Sequence, residues 1–249
     1  MQDTRALARS ARGPYRASPA ALARRAGARE RLLAAAAAII ADRGYAGLTI
    51  AGAAARAGVS VGSVYRHFES KAELAAEVFR REAGRELEAV RLAARVGGGP
   101  LAALRAAVGT FAGRALAGPR LAWALLAEPV GPEVGAERLR FRGQYRELFA
   151  GLIGRAMAAG EIPAGQDPWL TAAAVVGTVA ESLIGPLAPA GAPPAGASPA
   201  PAAAGPPPAG AGARLAGDPG PPAAGGAGDG ARLAERITQL VVRLCGGQP

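Results

Sequence analysis

The chain has 249 residues, half of them apolar, a formal net charge of +10, one cysteine and one histidine. A lone Cys245 excludes an intrachain disulfide and most thiolate metal sites, and a lone His67 excludes the usual multi-histidine zinc site. Valine, isoleucine and aromatics are sparse outside short runs while alanine, leucine and arginine abound, which disfavours an extensive sheet and points to an all-α fold.

The charge is concentrated at one end. Residues 1–71 hold 12 Arg/Lys against 4 Asp/Glu, for a net of +8; the remainder holds 17 against 15, for +2. A basic end gives a polyanion a place to dock. Residues 1–27 carry Arg5, Arg9, Arg12, Arg16, Arg24 and Arg25 without a long apolar run, and read as a basic, disordered arm. Helical periodicity begins near Ala28 and runs to Arg43, with Leu33, Ala36, Ala37 and Ile40 on one face and Gly44 as terminator. A second short helix is expected after the cap Thr49, ending at Gly58, and a third after the cap Ser60. In the third, Val64 and Phe68 face a core, leaving Val61, Ser63, Tyr65 and Arg66 accessible. Ser70 and Glu73 form a capping box opening a fourth helix from Lys71 to about Arg95, which stops at the GGGP of residues 97–100.

Further helices follow: a stripe of Leu101, Leu104, Val108 and Phe111 after Pro100, a short element from Leu121 to Ala127, and a long one over 134–159. Asp167 followed by Pro168 opens a helix reaching about Leu187 that is apolar on nearly every side. It is the best membrane candidate in the chain, but Glu181 and Pro186 interrupt it, so a cytoplasmic protein with no membrane partner is expected. Residues 186–230 hold 12 prolines and 11 glycines in 45 positions and read as an irregular insert, disordered at about 188–229. Its Pro206–Pro208 run reads as part of that insert more readily than as a recognition ligand. Periodicity returns over 231–244, which most economically packs beside the helix beginning near Trp169.

Two short helices joined by a glycine-containing turn can seat the second in a DNA major groove while the first supports it. Ala54 permits the close crossing and Gly58 the sharp turn. Val61, Gly62 and Ser63 stand in the leading turn of the second helix, with Arg66 behind, suited to base edges or phosphate. Tyr65, Lys71 and Thr49 suit phosphate contact. His67, with no carboxylate partner or nucleophile motif, reads as a structural hydrogen bond or a phosphate contact, not a catalytic group.

The segment AAAIIADRGYAGLTIAGAAARAGVSVGSVYRHFESKAELAAEVF resembles the N-terminal DNA-binding domain of TetR-family transcriptional regulators over residues 29–80, through the order and spacing of RGY, the threonine before helix two, AGVS, YRHF and SK. The resemblance implies a helix-turn-helix domain at 28–75 and a helical ligand-binding and dimerisation domain at 76–249. It makes Thr49, Ser63, Tyr65, His67 and Lys71 candidate DNA-backbone contacts, with Val61, Gly62 and Arg66 on the operator-facing surface. Gly52, Ala53 and Val61 depart from common family usage.

The expectation is a homodimeric repressor of a near-palindromic double-stranded operator, released by a small hydrophobic or mixed-polarity effector, with no cofactor, no metal and no catalytic residue. Activation or ligand-independent control would use the same DNA chemistry; an enzyme or carrier built on the helical cavity would need an organised acid-base pair that the sequence lacks. Trp123, Phe141, Tyr145, Phe149 and Met157 are expected to line the effector cavity, with Arg142 or Glu128 orienting the ligand, although the four-residue spacing of Phe141, Tyr145 and Phe149 equally describes a core stripe. Trp169, Ala173, Gly177, Ala180, Leu183 and Ile184, with Leu233, Ile237, Leu240, Val241 and Leu244, are the candidate dimer interface. Coupling between the two functions is expected to pass through the fourth helix.

Overall fold

The computed structural model describes residues 18–95, 97–189 and 226–248, and all the regular structure among them is helical. The expected loose arm over 1–17, most of the Pro/Gly-rich insert and its triple-proline run lie outside the described residues. Helix α1 spans Pro19–Arg43, α2 Ile50–Ala57, α3 Val61–Tyr65 and α4 Lys71–Ala93. Then come α5 (Pro100–Ala117), α6 (Pro119–Leu126), α7 (Pro132–Ala158), α8 (Pro168–Leu187) and α9 (Gly226–Leu244).

The boundaries follow from local chemistry. Thr49 Oγ1 accepts the Gly52 amide at 3.0 Å, Ser60 Oγ the Ser63 amide at 3.2 Å, and Ser70 Oγ the Glu73 amide at 3.0 Å, so three successive helices begin on a hydroxyl cap. Glu73 reaches back to the Glu69 amide at 2.5 Å. Asp167 Oδ1 accepts from both Trp169 and Leu170 at the start of α8, and Pro100, Pro119, Pro132 and Pro168 each open a helix in the turn where no amide donor is missed. Gly58 closes α2 with φ at 66°, the left-handed conformation that glycine reaches without strain.

Two expectations about disorder are corrected. Helix α1 starts at Pro19, so residues 19–27 of the expected arm are helical: Pro19 sits at the first turn, and alanine, leucine and arginine are good helix formers whatever their charge. Likewise α9 starts at Gly226, inside the expected insert, with Asp229 in its first turn and paired to Arg232.

The buried residues form two clusters. One joins α1–α4 around Leu32, Leu33, Ile40, Leu48, Val64, Phe68 and Leu74, and continues along α4 through Phe79 to Leu125 of α6 and Phe141 of α7. The other fills the space between α5, α7, α8 and α9 with Leu104, Val108, Leu152, Ile153, Val175, Leu183, Ile237 and Val241. Helix α9 packs mainly on α5 and only secondarily on α8, while α8 lies along α7. Among the described residues α8 alone is long and apolar enough to cross a membrane by length and composition. Its Ala172, Val175 and Leu183 are fully enclosed by neighbouring helices, while Trp169, Leu170 and Gly177 stay exposed.

Candidate functional site

The head is a platform for α3. Val64 and Phe68 are anchored in the core, 0% and 1% exposed, with the Arg29 guanidinium 5.3 Å above the Phe68 ring. On the opposite side Val61, Gly62, Tyr65 and Arg66 are open, and a methyl group built on Gly62 would meet nothing within 4 Å. Thr49 and Lys71 are exposed at the starts of α2 and α4. Ser63 does not join them: its side chain is buried, at the floor of a cleft shared with Arg24, Arg25 and Ala28 of α1 and with Arg66 and His67. The expectation of an accessible Ser63 failed because the N-terminal turns of α1 rise over that flank of α3. Arg25 Nη2 donates to the Arg66 carbonyl at 3.3 Å across the cleft. Burial first, and then the charges of Arg25, Arg29 and Arg66, hold the His67 imidazole below its ordinary value. The cleft is a concentrated basic surface continuous with the open face of α3, and two of its arginines, Arg24 and Arg25, are ones expected in a disordered arm.

Below the head, α4, α5, α6, α7 and α8 enclose a cavity of about 360 Å³. Its wall is mostly apolar: Phe79 and Ala83, Phe111 and Ala115, Leu121 and Leu125, Phe141, Tyr145 and Phe149, Val176 and Val179. Phe111 and Tyr145 meet edge-on, with ring centroids 5.1 Å apart. The charged groups are Glu86, Arg114, Arg138 and Arg142. Glu86 takes Arg114 in a bidentate pair at 2.6 and 2.8 Å, which raises the guanidinium's affinity for its proton.

Of the residues expected at the cavity, Phe141, Arg142, Tyr145 and Phe149 line it. Trp123 and Met157 belong to the lower core instead, and Glu128 has another task. Glu128 is buried, and its Oε1 accepts the backbone amide of Tyr45 at 2.8 Å. Tyr45 follows Gly44, whose φ of 71° ends α1. A methyl group at Gly44 would overlap the ends of the Glu128 and Arg120 side chains, which would have to move aside, and the left-handed backbone itself favours glycine. The cavity-lining Arg138 donates from Nε to the Leu125 carbonyl at 3.0 Å and from Nη2 to the Ala124 and Glu128 carbonyls at 3.1 and 2.8 Å. One guanidinium therefore ties the end of α6, and the carboxylate that follows it, to the cavity wall. A second chain of charges runs from Arg29 of α1 to Glu77 of α4 at 2.8 Å, on to Arg80, and from Arg80 to Glu137 of α7 at 3.1 Å.

The candidate interface residues divide. Ala180, Leu183, Ile237 and Val241 are buried within the chain, where they serve its own core, because α8 and α9 turn those faces toward α5 and α7. Trp169, Gly177, Leu240 and Leu244 are exposed, and Ala173, Ile184 and Leu233 are partly so. Arg146 stacks over Trp169 at 4.6 Å.

A helix-turn-helix whose second helix is pinned on one side and open on the other, above a separate helical cavity, is the arrangement against which known proteins compare. Residues 32–78 match the family profile described as bacterial regulatory proteins, tetR family. Over that segment the chain carries a TetR-type DNA-binding domain. Nothing among curated proteins matches the chain. Solved structures with the same fold include the regulator FadR from Bacillus subtilis in complex with stearoyl-CoA, 21% identical with a TM-score of 0.56 over 62% of this chain and 84% of that one. A TetR-family regulator from Rhodococcus sp. is 27% identical with a TM-score of 0.54 over 64% and 86%. Another transcriptional regulator, from Rhodococcus sp. Rha1, is 22% identical with a TM-score of 0.57 over 89% and 99%.

Proposed function

We propose that the chain is a TetR-like transcriptional regulator, a homodimeric, cytoplasmic repressor that leaves its operator when a small molecule fills the cavity between α4 and α8. The single observation behind the DNA reading is the two-sided character of α3, whose buried Val64 and neighbouring Phe68 fix it while Val61, Gly62, Tyr65 and Arg66 stay open. Val61 suits a thymine methyl group, Arg66 a guanine edge or a phosphate, and Tyr65, Thr49, His67 and Lys71 suit the phosphate backbone on either side. Ser63 then acts from within, supporting α3 against α1.

Dimerisation rests on the exposed apolar surface of the last two helices, Trp169, Leu170, Leu240 and Leu244 above all. A two-fold pair would present two reading helices to successive major grooves, about 34–36 Å apart, and so prefer a near-palindromic site.

Release requires an effector with different affinities for the DNA-competent and incompetent arrangements. Two connections support such coupling. The Arg138 guanidinium joins the cavity wall to the end of α6, from which Glu128 holds the Tyr45 amide at the foot of α1. The Arg29–Glu77–Arg80–Glu137 chain joins α1 to α7 across α4. An effector that displaces α7 or withdraws Arg138 would tilt α1, and with it the basic cleft that flanks α3. That FadR, of the same fold, holds stearoyl-CoA is consistent with a small-molecule effector.

Selection of bound fragments from genomic DNA by the full chain tests the reading. Recovery of one near-palindromic site, with affinity lost on Tyr65→Ala or Lys71→Ala, is the expected result. Folded protein that enriches no sequence refutes it.

A further inference from the structure

We infer that the effector is an organic anion: an apolar body that fills the aromatic wall of the cavity, carrying one acidic head group taken up by Arg142 with Arg138. This rests on the reading of the cavity as the effector site and adds the chemistry of what it accepts. The charges around the space do not balance. Three arginines and one carboxylate line it, and the carboxylate is already committed, since both oxygens of Glu86 are bound by Arg114. Arg138 and Arg142 are thus left facing one cavity with no ion-pair partner among the described residues. Arg138 is half-buried and spends Nε and Nη2 on neutral carbonyls, which leaves its Nη1 without a hydrogen bond among the described residues. Burial holds the Arg138 guanidinium below its ordinary value and the like charge of Arg142 adds to this, while Tyr45 and the Glu128 carboxylate act in the opposite direction. Arg142 is exposed at the cavity's edge and makes no hydrogen bond or ion pair among the described residues.

The two guanidiniums stand one turn apart on α7, on the same stripe as Phe141, Tyr145 and Phe149. The stripe therefore presents a cationic end and an aromatic end to one space. A carboxylate there would accept paired N–H groups in the planar geometry that guanidinium favours, while a hydrocarbon body covers the rings. A neutral apolar molecule would leave the two like charges facing each other at the cavity's edge with no counter-charge between them. A cation would add a third. The head group also has a direct path to the α6 latch, because any anion that draws Arg138 inward competes with the carbonyls of Ala124, Leu125 and Glu128.

The test is calorimetric titration of the full chain with decanoate, decanol and decyltrimethylammonium below their aggregation limits, beside an operator-release assay with each. The expected result is decanoate binding at least about tenfold tighter than decanol, the scale of a charge-assisted bidentate pair, with no uptake of the ammonium. Arg142→Gln should erase the preference and Arg142→Lys should restore part of it, with thermal midpoints unchanged because Arg142 is exposed. Equal affinity for acid and alcohol, or a preference that survives Arg142→Gln, overturns the inference. If decanol then still releases the operator, the effector cavity stands and only the charge assignment falls; if no probe binds, the inference falls as well.

Discussion

Replacing Glu128 by alanine tests the connection between cavity and reading head at its narrowest point. The Glu128 carboxylate is 8% exposed and accepts the Tyr45 amide at 2.8 Å across 83 residues of chain. Removing it deletes a hydrogen bond to a charged group, which contributes roughly 1.5–3 kcal/mol, and leaves the Tyr45 amide without an acceptor in a closed environment. At roughly 1.4 kcal/mol per tenfold, the Tyr45 amide should exchange with solvent about 10–100 times faster in Glu128→Ala, under conditions where local opening dominates. Glu128→Gln keeps an acceptor oxygen without the charge and should fall between. The thermal midpoint should drop by about 3–12 °C, from roughly 2–4 °C per kcal/mol for a chain of this length. Gly44→Ala attacks the same contact from the other side, since its methyl group would overlap that carboxylate and the backbone there has φ of 71°. In a double-mutant cycle the two losses should not add. If Tyr45 exchange is unchanged in Glu128→Ala, the hydrogen bond carries no energy and the route through α6 is wrong.

Leu240→Glu with Leu244→Glu alters side chains that are 48% and 44% exposed in the single chain, so light scattering should report half the mass while the secondary structure persists; an unchanged mass places the dimer surface elsewhere. Lys71→Ala should weaken duplex binding about equally for all sequences and reduce the salt-dependence slope by about one, because one phosphate keeps its counterion; an unaltered slope removes Lys71 from the interface. In the free protein His67 is held below its ordinary value, so its neutral form favours the folded chain above the usual histidine range, and that contribution is lost as pH falls through the lowered value. A docked phosphate reverses the local field and raises the value, so duplex binding should take up protons and tighten as pH falls, by at most about tenfold per pH unit for one proton. His67→Gln should flatten that dependence; the same slope in the variant means another group titrates.

What was legible in the sequence was local. Thr49, Ser60, Ser70 and Asp167 announce helix starts because a cap needs only an oxygen within three residues, and Gly44 and Gly58 announce ends because only the left-handed turn is at stake. The head was readable for the same reason, since α2, the turn and α3 lie within a short span whose spacing turns Val64 and Phe68 inward; the burial of Ser63 was not, because the turns of α1 that cover it lie far upstream in the chain. The basic arm misled because charge and helix propensity are separate properties: arginines that suggest solvent exposure are also good helix formers, and those of α1 end up beside α3.

The cavity was only half legible, and the reason is geometric. A stripe of Phe141, Tyr145 and Phe149 describes a core and a cavity wall equally well, since the difference lies in whether the facing helices close the gap, which depends on residues far away in the chain. Glu128 shows the same thing for charge. A carboxylate near aromatic residues suggests a ligand contact, yet its partner is a backbone amide that leaves no mark on the sequence. The Arg43-Gly44-Tyr45 segment hints at the partner only once the fold is known: a glycine there serves the turn, and its missing side chain is also the space into which Glu128 reaches. The motif that identifies the reading head is therefore also the surface by which the regulatory half grips it, so a substitution at Gly44 should impair both halves at once, whereas one at Lys71 should affect DNA binding alone.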